Sequence, residues 1–330
     1  MKNYKNILVI NFGGIGDEIL FLPTIKSLKE AYPDSKITLV LEPRSKSIQN
    51  LCPFIDETIG VDIKGKSKYQ DLLKFYFKAL LGRYDLVVSS GANKLIPVLL
   101  FFTGIGTRVG YDSGFLTKLL LTKAVPLNQQ QYAGRMYHDL VKDLTQKEYK
   151  DPEIVVEKQE KTENYILVHP GVSKMSIKKN IIKNWSNITW GKLIEELLHK
   201  GKTVYLAGGP DDEECIEEIR EYLKDKDTKN FKDMYGKTKN IFDLAKLIKS
   251  SDILVCSDSA PMHIGVATGT RTIAIFGPTD EKKLIPASNK YTAITNKNCD
   301  CRPCLWDKRQ TSCDKKECVR IELDSIINII

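Results

Sequence analysis

The sequence predicts an α/β protein made of two doubly wound, parallel-sheet domains. Three observations carry that expectation. Short runs of branched apolar residues alternate with helical stretches, the pattern of a parallel sheet covered on both faces. The rhythm stops at a polar stretch of nearly alternating charge, residues 147–164, and then restarts. Each half also holds a strand that runs into a loop suited to close ligand approach at a helix start. In the first half this is Gly13-Gly14-Ile15-Gly16-Asp17, and in the second Ser257-Asp258-Ser259-Ala260-Pro261-Met262-His263.

In the first half, strands are expected at 7–10, 37–41, 58–61 and 86–89, with a further run near 107–110. Helices are expected at 17–31, 69–81 and about 133–145. The most apolar segment, 95–102, is interrupted by Pro97 and too short to span a bilayer, so it reads as a buried helix. The division is residues 1–150 as one domain, 151–164 as a linker with a short strand at 154–156, and 165–330 as the second domain. There, strands are expected at 165–168, 203–206, 253–255 and 272–275, and helices at 188–199, 212–223 and 241–250. A helix from Met262 to Thr268 is small and apolar, and Gly269 stops it.

Composition bounds the function. The chain has 330 residues, 42% hydrophobic and 28% charged, as a soluble globular protein with two full cores would have. The net charge of +8 is evenly spread: 22 basic against 18 acidic residues through position 160, and 28 against 24 beyond. No basic arm marks a nucleic-acid binder. Met1-Lys2-Asn3-Tyr4-Lys5 leads straight into a core strand, so no signal peptide is expected and a reduced cytoplasmic setting follows.

The 257–263 unit points helix N–H groups and a partial positive charge at one spot, which suits a phosphate. Asp258 or Ser259 is placed to cap the helix, Pro261 is harmless in the first turn, and His263 adds a donor. Capping alone is the competing reading. Gly208-Gly209-Pro210-Asp211-Asp212-Glu213-Glu214 lies at another strand end. Its acidic residues suit ribose hydroxyls, or equally the dipole of a helix start.

Taken in order, these motifs resemble glycosyltransferase family nine, the heptosyltransferases of lipopolysaccharide core assembly. The series is Gly13-Gly14-Ile15-Gly16-Asp17 with Leu22-Pro23, His169-Pro170-Gly171, Lys183-Asn184-Trp185, Gly208 to Glu213, Asp258 to His263, and Phe276-Gly277-Pro278-Thr279-Asp280. The resemblance implies a GT-B fold: two Rossmann-like domains facing across a cleft, acceptor on the first and nucleotide-sugar donor on the second. It implies inverting, metal-independent transfer from ADP-heptose to a lipid-linked saccharide, in the cytoplasm at the inner-membrane surface, with no catalytic cofactor. Asp17 matches the catalytic base on a loop formed with Gly13, Gly14 and Gly16, and Glu18 is the second candidate. Lys183 matches the lysine that meets the diphosphate, and the donor side takes in Ser173, Asp212, Glu213, Asp258, Ser259, Ala260, Met262 and His263. The stretch between Gly171 and Lys183 is longer than the pattern, so Lys178 and Lys179 compete for the phosphate. Ser186 replaces the usual proline.

The tail, Cys301-x2-Cys304-x8-Cys313-x4-Cys318 with Cys299 before it, has spacing that suits structural zinc or an iron–sulfur cluster, and paired or free thiols equally. Two rival functions remain: a nucleotide-sugar epimerase of the same architecture, and a non-catalytic sugar-nucleotide binder. A nicotinamide-dependent dehydrogenase fits poorly, because the first loop lacks G-x-G-x-x-G spacing.

Overall fold

The computed structural model describes residues 2–65, 67–91, 95–158, 163–179, 181, 183, 185–305, 308 and 313–330. The chain divides into two compact units, Met1–Ile154 and Val155–Ile330.

In unit 1 the elements are β1 (Asn6–Ile10), α1 (Ile15–Ala31), β2 (Lys36–Leu41), β3 (Glu57–Gly60), α2 (Lys68–Leu81) and β4 (Leu86–Ser89). They continue with α3 (Leu95–Phe101), β5 (Thr107–Tyr111), α4 (Phe115–Leu120), β6 (Lys123–Val125) and α5 (Ala133–Thr145). The six strands pair in parallel in the order β3-β2-β1-β4-β5-β6. Residues Ile7 to Ile10 of β1 are completely buried, as a central strand covered on both faces must be. One covering layer packs α1 against α5. On another, Leu72, Phe75 and Ala79 of α2 join Ile96 and Leu100 of α3 over Leu8, Ile10 and Val87.

Unit 2 runs β7 (Ile166–His169), α6 (Lys174–Lys178), α7 (Asn187–His199), β8 (Val204–Leu206), α8 (Glu213–Leu223), β9 (Phe231–Asp233) and α9 (Ile241–Ser250). It ends with β10 (Ile253–Ser257), α10 (Ala260–Thr268), β11 (Arg271–Phe276), α11 (Glu281–Leu284), β12 (Tyr291–Thr295) and α12 (Asp324–Ile327). Its strands are again parallel, in the order β12-β11-β10-β7-β8-β9. Trp185 and Trp190 meet edge to face at 5.3 Å in its core.

Both sheets reverse their winding at the centre, between β1 and β4 and between β7 and β10. Such switch points open a crevice at the carboxyl ends of the strands, where ligands of doubly wound sheets bind. The glycine loop of residues 13–17 follows β1, and the 258–263 segment follows β10, so each motif sits at its unit's switch point.

Several expectations are corrected. Residues 154–156 form no strand; Ile154 and Val156 are buried while Val155 is exposed, so the segment is extended without a pairing partner. Residues 159–162 of the expected linker lie outside the described residues. The 95–102 segment is helical but not buried throughout, since Leu95, Phe101 and Phe102 are exposed. The short edge strands β6, β9 and β12 went unseen because edge strands need only one apolar face and little length. No described helix is long and apolar enough to cross a membrane.

Candidate active site

In unit 1, β1 is followed by Asn11, whose buried side-chain amide donates to the Asp17 carbonyl at 3.3 Å and accepts from the Ser90 hydroxyl. That second bond crosses the switch point. Asp17 stands in the first turn of α1 and folds back, so that its Oδ2 accepts from the Gly14 N–H at 2.8 Å. A Cβ on Gly13 would lie 2.3 Å from the Asp17 Cβ, which explains the glycine: the carboxylate needs that space. Oδ1 of Asp17 carries no hydrogen bond among the described residues. The Ser45 hydroxyl fixes the same loop through the Gly13 carbonyl at 2.8 Å.

Glu18 is a different kind of carboxyl. It is buried, and burial pushes its pKa well above the ordinary range. The Asn11 side chain works against that push, and the Asp17 charge adds to it. The structure places Glu18 inside the unit rather than at its surface, whereas Asp17 beside it is half-buried at the loop. Nearby, buried Glu42 at the end of β2 holds Arg44 at 2.7 Å and Lys64 at 2.6 Å. Neither cation stands out in the sequence, where Lys64 reaches Glu42 only across the whole of β3.

In unit 2, the Ser257 hydroxyl donates to the Pro170 carbonyl at 2.7 Å across the switch point. Asp258 follows, almost fully buried, and its Oδ2 lies 2.9 Å from Lys183 Nζ. Thr279, in the loop after β11, donates to the same oxygen at 2.5 Å. Burial works to raise the Asp258 pKa. The Lys183 charge, the Thr279 and Lys183 hydrogen bonds and the His263 ring outweigh it and hold the carboxyl below its usual range. The Lys183 and Thr279 contacts thus favour the ionised Asp258 carboxylate, which in turn fixes Lys183. Asn184 of the Lys183-Asn184-Trp185 motif lies outside the described residues, as do Asn180 and Ile182.

Ser259 occupies the cap position of α10, yet no side chain caps the helix; its hydroxyl approaches the Ser257 carbonyl instead, at 3.4 Å. Pro261 has no N–H and Met262 spends its own on Ser259, so the helix start offers its dipole and the Ala260 N–H rather than a full turn of donors. Ala260 is half-buried there and His263 is buried one turn in. Met262 is completely buried, with its N–H on the Ser259 carbonyl at 3.1 Å. Its side chain belongs to the core rather than to a ligand contact.

The remaining expected donor residues divide. Asp212 is buried, and its Oδ2 accepts from the Gly209 N–H at 2.8 Å. Burial raises its pKa, opposed by the charge of His169, whose own pKa burial lowers. A Cβ on Gly171 would fall 2.1 Å from the Asp212 carboxylate, so glycine is required there. Glu213 is exposed in the first turn of α8, and Asp211 pairs with Lys174 at 3.4 Å. Ser173 is exposed and caps α6, accepting from the Ser176 N–H at 3.3 Å. Lys178 and Lys179 are exposed at the end of α6.

The cysteine tail converges. Cys299 and Cys301 place their sulfurs 3.4 Å apart. The Cys318 thiol is pushed up to about 11 by burial, with Cys299, Cys304, Cys301 and Cys313 adding to it. Among the described residues no group of three or more His, Cys, Asp or Glu side chains is arranged to hold a metal ion. The zinc or iron–sulfur site expected at Cys301, Cys304, Cys313 and Cys318 is therefore not found there. What the tail does hold is the loop behind Asp258: Arg302 donates to the carbonyls of Gly277 at 2.9 Å and Thr279 at 3.1 Å, and pairs with Glu281 at 2.9 Å.

Comparison with known proteins agrees with this geometry. Residues 75–316, most of the chain, match the family model for glycosyltransferase family 9 (heptosyltransferase). The lipopolysaccharide heptosyltransferase 3 of Escherichia coli K12 is 26% identical over 286 residues, 80% of each chain. The structure of the E. coli ADP-heptose LPS heptosyltransferase II superposes with a TM-score of 0.72 at 20% identity, covering 89% of this chain and 91% of that one. The E. coli heptosyltransferase WaaC with ADP gives 0.69 at 17%, covering 87% and 92%. With two parallel six-stranded sheets matching those of these GT-B structures, and a family model that spans most of the chain, this protein belongs to glycosyltransferase family 9 and is a glycosyltransferase.

Proposed function

We propose that the enzyme transfers heptose from ADP-heptose to a lipid-linked saccharide of the lipopolysaccharide core, with inversion and without a metal ion. The observation that carries the donor side is the Lys183–Asp258 pair beside the uncapped start of α10. A diphosphate leaving group develops negative charge that must be met by fixed donors. Lys183, held by the buried Asp258 carboxylate, meets it with a charge that needs no reorientation, and the α10 dipole with the Ala260 N–H and His263 adds to it. The names of the relatives support the choice of sugar: one solved neighbour is an ADP-heptose transferase and another holds ADP.

On the acceptor side, which we assign to unit 1, Asp17 takes the proton of the acceptor hydroxyl through Oδ1. The oxygen attacks the anomeric carbon as the bond to the ADP oxygen breaks, and ADP departs with the electron pair. One displacement gives one inversion. The Gly14 N–H keeps the carboxylate in place throughout. Arg44 and Lys64, locked on Glu42 at the same edge, suit anionic groups of a saccharide core. A lipid-linked acceptor puts the enzyme at the cytoplasmic face of the inner membrane.

The test is ADP release from ADP-heptose with and without acceptor, in the presence of excess EDTA, with the anomeric configuration of the product read by NMR. Acceptor-dependent release that survives chelation and gives the inverted anomer is expected. Release without acceptor, loss restored by magnesium, or retained configuration would each overturn the reading.

A further inference from the structure

Three successive helices of unit 1, each packed against the next, leave large apolar side chains in solvent. Helix α2 uses Leu72, Phe75 and Ala79 against the sheet. A second apolar face stands beside the first, with Tyr69 77%, Leu73 57% and Phe77 50% exposed. At about 100° per residue these three fall within an arc of roughly 80°, separate from the buried stripe. Helix α3 packs against both α2 and α4, and the Tyr76 hydroxyl ties α2 to it through the Phe102 carbonyl at 3.3 Å. Phe101 and Phe102 extend the surface, and Phe115 and Leu119 of α4 carry it on, at 82% and 65% exposure.

Scattered apolar residues on a surface need no explanation, but a patch spanning three helices marks a partner. Its charge says which kind. Lys64 aside, which Glu42 holds, residues 62–85 carry five basic side chains against three acidic ones; Lys78 stands exposed on the face of α2 next to Tyr69, Leu73 and Phe77, with Lys74 beside it 3.9 Å from Asp71. Lys118 of α4, 64% exposed, adds a further lysine whose Nζ lies 3.2 Å from Asp112. Apolar anchors bordered by lysines are the composition of a surface that lies in the interface of an anionic bilayer. Its place in the fold fits. Helices α2, α3 and α4 each follow the carboxyl end of a parallel strand, so each begins at the sheet edge that carries Gly13 to Asp17.

We propose that the α2–α3–α4 face docks the enzyme on an anionic bilayer. Tyr69, Leu73, Phe77, Phe115 and Leu119 enter the headgroup–acyl boundary, and Lys74, Lys78 and Lys118 lie on lipid phosphates. The proposal rests on the reading of the acceptor as lipid-linked: a docked enzyme receives the saccharide at the Asp17 edge while the acyl chains stay in the membrane.

The experiment is co-sedimentation of the full chain with vesicles of phosphatidylethanolamine and phosphatidylglycerol, and with vesicles of phosphatidylcholine alone. Binding to the anionic vesicles is expected to be at least tenfold tighter and to weaken with salt. The Leu73→Glu/Phe77→Glu variant, and independently Phe115→Glu/Leu119→Glu, should each lose vesicle binding at least tenfold. Both should keep wild-type turnover on an acceptor saccharide stripped of its acyl chains. Two helices are tested separately, so misfolding of one variant leaves the other decisive. Failure of the wild type to bind anionic vesicles, or unchanged binding by both variants, overturns the proposal. So does a wild-type dimer in sedimentation that these substitutions split, because the face then belongs to a second copy. If vesicle binding behaves as expected while no acceptor is glycosylated, docking stands and the substrate reading fails.

Discussion

Lys183 and Asp258, 75 positions apart in sequence, form a buried ion pair with Nζ 2.9 Å from Oδ2. Each accounts for the other. An aspartate this buried needs a cation and hydrogen bonds to stay charged, and a lysine fixed by it suits the diphosphate role proposed for it, because it is held before any ligand arrives.

The first prediction concerns stability. Lys183→Ala should cost about 3–5 kcal/mol, because it strands a buried carboxylate. Adding Asp258→Asn should restore part of that loss. Urea unfolding of the single and double variants measures it, and additive losses would show that the pair is not coupled.

ADP binding should separate the three lysines. Lys183→Arg, which keeps the charge beside Asp258, should weaken ADP binding, whereas Lys178→Ala and Lys179→Ala, at exposed sites, should change it little. A charged hydrogen bond is worth about 1.5–3 kcal/mol. Calorimetric titration decides, and equal losses at all three positions would point to a diffuse basic segment.

Asp17→Asn should keep the fold, since an asparagine oxygen can still accept from the Gly14 N–H. Turnover should fall about 10²–10⁴-fold, the usual effect of removing a general base. Near wild-type kcat in this variant would remove Asp17 from the chemistry.

Glu18 sets a pH dependence. Its folded pKa is raised, so above about pH 4.3, where an unfolded glutamate ionises, the unfolded state sheds a proton that the folded state retains. Stability then falls as pH rises until the folded carboxyl ionises too. Glu18→Gln should therefore be more stable than the parent at neutral pH and close to it near pH 4. Asp258 acts oppositely: its depressed pKa gives stability that is lost as pH falls below about 3.9. Chemical denaturation of Glu18→Gln across pH 4 to 8 tests the first effect, and a constant offset across that range would refute it.

Gly171→Ala should destabilise unit 2 by about 1–3 kcal/mol, the usual cost of overpacking, because its Cβ would fall on the Asp212 carboxylate. Thermal melting reads the loss, and Asp212→Ala in the same chain should recover part of it.

The sequence by itself determined the two-sheet α/β class and the placing of the glycine and Asp-Ser motifs at strand ends, because both are written in local periodicity and short-range turn chemistry. The bounds of β4, α5 and α9 were readable for the same reason: each has an apolar pattern matched to its own period and clear polar flanks. The family was legible too, in the order of six motifs rather than in any one of them. Tertiary structure alone decided which charged groups face each other. Asp17 and Glu18 are adjacent carboxylic acids, yet Glu18 is buried while Asp17 caps a helix at the sheet edge. Lys183 found Asp258, and Thr279 closed on the same carboxylate, through parallel pairing of β10 with β7 and β11. Asp212 turned inward to the Gly209 N–H and towards His169 rather than outward. Burial and partner choice depend on what the chain brings in from far away, and no local pattern encodes that distance.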